Sequence, residues 1–219
     1  MSRRLALRSS RITVIYRGRD LDVLGRRTAE RRTATRASEN VRDETVFLCV
    51  GRQDYQKAHE VAVRAFNRIV HEFPNAQLWL AGRPGGNSGE VQRAIGESSE
   101  PSRIRNLGER TDVGDLLCAA DFFVMPSRFE GLAGSVIEAM ALEIPLVLTD
   151  IEVFREVADN RALFFRRDDD GDLSAALRRC LAGEYPLPWP AELRARTEAN
   201  FDISQVASDL ADFYRTFQR

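Results

Sequence analysis

Short runs of consecutive apolar residues alternate along this chain with longer stretches whose apolar positions recur at helical spacing. VFLCVG (46–51) is a continuous apolar run closed by glycine, the pattern of a strand buried on both faces. From about 57 to 72, Val61, Ala65, Phe66, Ile69 and Phe73 fall on one stripe, and Pro74 and Asn75 end the predicted helix. QLWLAG (77–82), IRNLG (104–108), FFVMPS (122–127), IPLVLTD (144–150) and ALFF (162–165) read as further strands, and ITVIY (12–16) as a short one. Helices are predicted over about 89–98, 112–119, 134–142, 154–158, 172–182, 190–199 and 204–217. The acidic tract RRDDDGD (166–172) reads as a surface turn and helix N-cap.

Strands alternating with helical segments imply an α/β fold: a single Rossmann-like domain, mostly parallel sheet, with helices on both faces. Ligands of such sheets sit outside the carboxyl ends of the strands. The loops at 51–57, 82–89, 108–112 and 127–134 are therefore where chemistry is expected. The chain divides into a basic segment (1–40), a Rossmann-like body (41–200) and a C-terminal helix (201–219).

Composition narrows this picture. Hydrophobic residues make up 43% and charged residues 30% of 219, enough apolar material for one sizeable core. The net charge of −1 argues against a nucleic-acid partner. The charge is uneven, with eleven Arg against four Asp and Glu in residues 1–40, which reads as a solvated, partly ordered segment. Cys49, Cys118 and Cys180 form no CxxC and suggest reduced thiols in the cytoplasm, with peripheral membrane attachment through the basic segment as the alternative. No run approaches the ~18 apolar residues of a membrane span.

All but one of the 32 Lys and Arg residues are arginine, and the exception, Lys57, closes the loop GRQDYQK. Gly51 permits a tight turn at the strand end. Arg52 and Lys57 follow near a helix start, where free N–H groups already favour an anion. A planar fork and a compact ammonium suit a diphosphate. GRPGGNSG (82–89) resembles a phosphate cradle but is not GxGxxG. In PSRFEGLAGSVIEAMALEIPLVLTD (126–150), Glu130 lies in a loop and Glu138 one turn into a helix. The GLAGS between them exposes backbone N–H groups at the helix start.

These blocks, in this order, resemble the C-terminal, donor-binding half of the GT-B glycosyltransferases of family 4. The resemblance spans about 12–215 and rests on VGRQDYQKAHEVAVRAFNRIVHEFPNAQLWLAG, on LGERTDVGDLLCAADFFVMPSRFEGLAGSVIEAMALEIPLV and on the E-x7-E pair Glu130 and Glu138. It implies a retaining hexosyltransferase that takes a nucleotide sugar as substrate, without metal or other cofactor. By the resemblance, Arg52 and Lys57 bind the donor diphosphate, Glu138 holds the ribose, and Glu130 contacts the donor sugar. Backbone groups of Gly51, Gly131, Leu132, Ala133 and Gly134 meet phosphate or sugar oxygens. Gly82, Arg83, Leu107, Gly108, Glu109 and Arg110 lie near the base. The catalytic set is then Glu130, Arg52 and Lys57.

Three departures stand out. Glu143 occupies a helix end where the family usually has a small residue, often glycine, so a local change is expected there. VIYRGRD (14–20) keeps Gly18 and Asp20 of the family's linker but differs at Tyr16, Arg17 and Arg19. The family's N-terminal domain, which carries the acceptor site and a catalytic histidine, has no counterpart, and His59 and His71 read as surface or helix-packing residues. The C-terminal helix carries an apolar stripe, Val206, Leu210, Phe213 and Phe217, which favours an acceptor-binding partner domain or self-association. A nucleotide-sugar-binding module without turnover remains an alternative at this stage, and a sugar epimerase of the same fold a weaker one.

Overall fold

The computed structural model describes residues 12–216. Two helices come first, α1 (Leu21–Leu24) and α2 (Ala29–Ser38). The repeat follows as β1 (Thr45–Val50), α3 (His59–Asn67), β2 (Ala76–Ala81), α4 (Ser88–Gly96), β3 (Ile104–Gly108), α5 (Val113–Ala119), β4 (Phe122–Met125), α6 (Gly134–Ala141), β5 (Leu146–Thr149), α7 (Glu152–Val157) and β6 (Leu163–Phe165). Helices α8 (Asp170–Leu181), α9 (Trp189–Asn200) and α10 (Ile203–Arg215) close the described chain. The six strands form one parallel sheet in the order β3-β2-β1-β4-β5-β6.

The order reverses between β1 and β4, so the fold is doubly wound and its switch point lies there. Strand β1 shows why its sequence is apolar throughout. Val46 and Leu48 enter the core on one face, and Phe47 and Cys49 the core on the other. Helices α3, α4 and α8 cover the second face, with α2, α5, α6 and α9 on the first. Asp169 caps α8 by accepting from Asp172 N–H at 2.8 Å, the role expected of the acidic tract.

Several expectations are corrected. ITVIY forms no strand. Its residues lie outside the sheet, where Tyr16 packs on Phe201, ring centroids 5.0 Å apart, and donates to Glu156 at 2.5 Å. Helix α3 ends at Asn67, and 68–72 continue as turns in which Ile69 N–H and Glu72 N–H reach back three residues, to Phe66 and Ile69. His71 therefore falls beyond the helix.

The basic segment is not a solvated one over 29–38. Helix α2 packs on α5, and its arginines cap the end of that helix. Arg36, 7% exposed, donates to Ala119 O at 2.9 Å, Arg42 O at 2.8 Å and Glu44 O at 2.6 Å. Arg32 donates to Ala119 O at 2.7 Å and Asp121 at 2.6 Å. Guanidinium groups satisfy helix-end carbonyls that would otherwise be orphaned in the interior.

Glu143 has φ +57, directly after α6. Ile144 N–H returns to Ala139 O at 2.9 Å and Glu143 N–H to Met140 O at 3.1 Å, the helix-ending motif whose left-handed position glycine fills best. Ala58, at the start of α3, also sits in the left-handed region, φ +51. Helix α10 buries none of its described residues. Leu210 is 41% exposed, and Phe217 of the expected stripe lies outside the described residues.

Candidate functional site

The carboxyl ends of β1, β2 and β3 finish at Gly51, Gly82 and Gly108, hydrogen-bonded across: Gly51 N–H to Ala81 O at 2.9 Å and Gly82 N–H to Gly108 O at 2.7 Å. A Cβ on Gly82 would lie 1.9 Å from Gly51 O, so these loops close together only because position 82 is glycine. Lys57 folds its stem back along Gly51.

From there its ammonium crosses the switch point. Lys57 Nζ donates to Glu130 Oε1 at 2.6 Å, joining the loop after β1 to the loop after β4. Ser127 donates to the same Oε1 at 2.7 Å, and Gln56 Nε2 to Oε2 at 3.1 Å. The Glu130 side chain is only 5% exposed and the Lys57 side chain 21%. Backbone contact reinforces the seam, with Arg128 N–H donating to Gln56 O at 2.8 Å. Arg128 also donates to Tyr55 O at 2.5 Å and to Glu60 at 2.7 Å.

Glu138 lies one turn into α6 and is held by Arg19, whose Nε donates to Oε1 at 2.9 Å. Burial pushes the Glu138 carboxyl above the usual carboxylate range, and Arg19 partly opposes this. Among the described residues, no side chain caps the start of α6. A cleft of about 390 Å³ opens beside it, lined by Glu130, Gly131, Ile151, Glu152, Glu156 and Arg167 among others. A larger one, about 830 Å³, lies at the amino ends of β1 and β4 around Arg32, Arg36 and Asp43. It is at the wrong end of the sheet for a ligand of this fold. Among the described residues, no group of three or more His, Cys, Asp or Glu is placed to hold a metal ion.

Residues 44–183 match the model of the family described as glycosyl transferases, group 1. The chain belongs to this family. Among curated relatives, the lipopolysaccharide core biosynthesis mannosyltransferase LpsB of Rhizobium meliloti is 30% identical over 183 residues, which cover 78% of the chain and 51% of LpsB. The chain thus spans about half the length of that relative. HepE of Anabaena, solved in complex with UDP and glucose, superposes with a TM-score of 0.86 at 18% identity, covering 97% of the chain and 59% of HepE. The C-terminal domain of a group 1 family protein, LpcC of Francisella tularensis, superposes with a TM-score of 0.73 at 15% identity, covering 85% of the chain and all of that domain. These likenesses agree with the C-terminal half of the GT-B architecture.

Within this chain, the expected residues do not all converge. Lys57 and Glu130 meet, and Gly51, Gly82 and Gly108 lie side by side. Leu132 and Ala133 pack into the core beneath the start of α6, with Gly131 exposed before them. Arg52 is half-exposed and bonded to Asp54. Arg83 and Glu109 are exposed; the carbonyl of Arg83 accepts from Gln53 N–H at 3.1 Å, and its charge acts on Asp54. Arg110 points to Asp112 and to Glu39 on the α2 side, at 2.6 and 2.8 Å. Those bonds, Asp112 first, raise its pKa further, so it stays a cation.

His59 is buried, and neither ring nitrogen has a hydrogen-bond partner among the described residues. Burial and then the Lys57 charge lower its pKa from 6.5 to about 4. His71 is exposed, 2.7 Å from Ser99 Oγ. Both agree with packing and surface roles. Sequence reasoning missed Gln53, Gln56, Ser127 and Arg19. Gln53 is 2% exposed and donates to Asn106 at 2.9 Å. A polar residue inside a loop that must bury its backbone is the signal that could have found it.

Proposed function

We propose that this chain is the donor-binding half of a retaining hexosyltransferase. It holds a nucleotide sugar at the switch point, and a partner domain supplies the acceptor. The observation that carries the reading is the Lys57–Glu130 pair spanning the β1 and β4 loops. An ammonium has three donors, and Lys57 spends one on Glu130. Two remain for a diphosphate, on a side chain whose ordering cost the pair has already met.

In this reading Lys57 and Arg52 stabilise the charge that develops on the leaving diphosphate, so that side chains and no metal carry it. Arg52 reaches the phosphate by leaving Asp54. Glu138 takes the ribose hydroxyls. Glu130 fixes Lys57 and presents its remaining edge to the donor sugar in the adjoining cleft. The open start of α6, from Gly131 to Gly134, offers N–H groups to phosphate or sugar oxygens. Gly82, Arg83, Leu107, Gly108 and Arg110 border the base. The UDP of the HepE complex and the mannosyltransferase activity named for LpsB support a nucleotide-sugar donor. The body that carries these groups is residues 41–200, with the linker before it and the C-terminal helix after it.

Calorimetric titration of UDP and GDP into the chain tests the site. One of the two is expected to bind, and Lys57→Ala and Glu138→Ala each to weaken it. Absence of binding by both at millimolar nucleotide defeats the assignment. Unchanged affinity in both variants defeats the residue roles. The isolated chain is expected to transfer sugar slowly or not at all, and brisk transfer would contradict the half-enzyme reading.

A further inference from the structure

Arg19 enters the site from outside the β-α repeat. Its backbone is pinned by the stretch before α10: Arg19 N–H donates to Phe201 O at 2.7 Å, and Ile203 N–H donates to Arg19 O at 2.9 Å. Gly18 makes this crossing possible, since a Cβ there would lie 2.7 Å from Ile203 Cα. From that anchored backbone the side chain runs to the first turn of α6. The guanidinium packs so closely on Gly134 that a Cβ there would sit 1.4 Å from Nη2.

This placement needs a reason. A cation at the start of a helix opposes the helix dipole, and Glu138 is what offsets it. Glu138 is three-quarters buried, and Arg19 is its one ionic partner among the described residues. The pair uses Oε1 of Glu138, and among the described residues no hydrogen bond takes Oε2.

We propose that Arg19 is a positioning residue of the donor site: it fixes the orientation and charge of Glu138 and leaves Oε2 for the ribose hydroxyls. The inference rests on the reading of Glu138 as ribose ligand. It makes nucleotide affinity depend on the linker segment as well as on the sheet.

Burial alone favours the protonated form of Glu138, and Arg19 works against it. Of the elements packed on α6, β4 and β5 carry no charged residue. Helix α9 carries four. Arg194 donates to Ala141 O at the far end of α6 and to Glu198. Glu192 pairs with Arg161, and Arg196 donates to Val157 O and Glu156 O. Without Arg19, therefore, Glu138 protonates at a higher pH and loses the charge-assisted bonds it would make to hydroxyls.

The test is UDP titration of the full chain by calorimetry between about pH 5 and pH 8, comparing wild type with R19M, R19K, E138Q and the double variant R19M/E138Q. R19M is expected to weaken binding about tenfold at neutral pH and to move the acid loss of binding to higher pH. The double variant should bind no more weakly than E138Q. R19K should keep the acid loss nearer its wild-type position, because it keeps the charge. If E138Q weakens binding but R19M binds as tightly as wild type, or more tightly, Arg19 does not position Glu138. Additive losses in the double variant overturn it as well. If E138Q binds as wild type does, the ribose assignment fails and the inference with it. Should R19M melt below the assay temperature, R19K decides: affinity equal to wild type with the Nε bond gone overturns the proposal, and weaker binding supports it.

Discussion

Both ends of the sheet are built on cations, and they use them differently. At the amino ends, Arg36 and Arg32 are spent on the carbonyls of Ala119, Ala120, Arg42 and Glu44 and on Asp121. These acceptors are fixed parts of the fold. At the carboxyl ends, Lys57, Arg52 and Arg19 each have one carboxylate partner among the described residues, Glu130, Asp54 and Glu138, and keep donors in reserve, Arg19 spending one more on Gly18 O at 3.3 Å. Saturated guanidinium groups hold structure, whereas singly paired cations can exchange a partner for a ligand. The same residue type serves both ends, so composition cannot tell them apart.

The largest effect is expected at Arg36. Arg36→Ala takes the guanidinium donor from the carbonyls of Arg42 and Glu44, while Ala119 O keeps Arg32, and is expected to cost about 4 kcal/mol in urea unfolding, with UDP affinity of the folded protein unchanged. A loss below about 1 kcal/mol would make it an ordinary surface charge.

His59 tests the two ends by acid. Guanidinium groups and carbonyls do not titrate there, but the buried ring does. Its pKa is lowered in the fold, so the unfolded chain binds the proton more readily between pH 6.5 and about 4. The stability it contributes is complete above 6.5 and is lost as the pH falls toward 4, by about 3 kcal/mol. Asp112 and Asp150, lowered by bonds from Arg110 and Arg155, lose stability in the same direction at lower pH. The difference between wild type and His59→Leu isolates the ring, and equal slopes in the two would discard it.

Lys57→Met should mirror Arg36→Ala. UDP affinity falls about a hundredfold, while stability falls by about 2 kcal/mol, less than for Arg36, because Ser127 and Gln56 still hold the buried Glu130. A large stability loss with retained affinity would move Lys57 to the structural class. Smallest of all, Glu143→Gly is expected to raise stability by about 1 kcal/mol and leave binding alone. A lower melting temperature would show that Glu143 makes contacts that outweigh its left-handed backbone.

Much of the sheet was legible because strands buried on both faces must be continuously apolar. β1, β2, β4 and β5 announce themselves that way. The helix at 29–38 did not, since what it buries is arginine: no apolar stripe marks a helix whose contacts are guanidinium to carbonyl. ITVIY misled for the opposite reason, being apolar and β-branched without a neighbouring strand to pair with. In the site, Lys57, Glu130 and Glu138 were visible through their motifs, and Glu143 through its departure from glycine. Their pairings were not. Lys57 and Glu130 are 73 residues apart and Arg19 and Glu138 are 119 apart. Only the strand order brings the first pair together, and only the crossing at Ile203 brings the second.

That crossing has a mechanical side. The strand of chain entering the body at Gly18–Arg19 and the one leaving it at Phe201–Ile203 are laced to each other by two backbone bonds. A pull on either is shared by both, as in a two-ply hinge. Arg19 is the lever arm on that hinge, and its far end rests on Glu138.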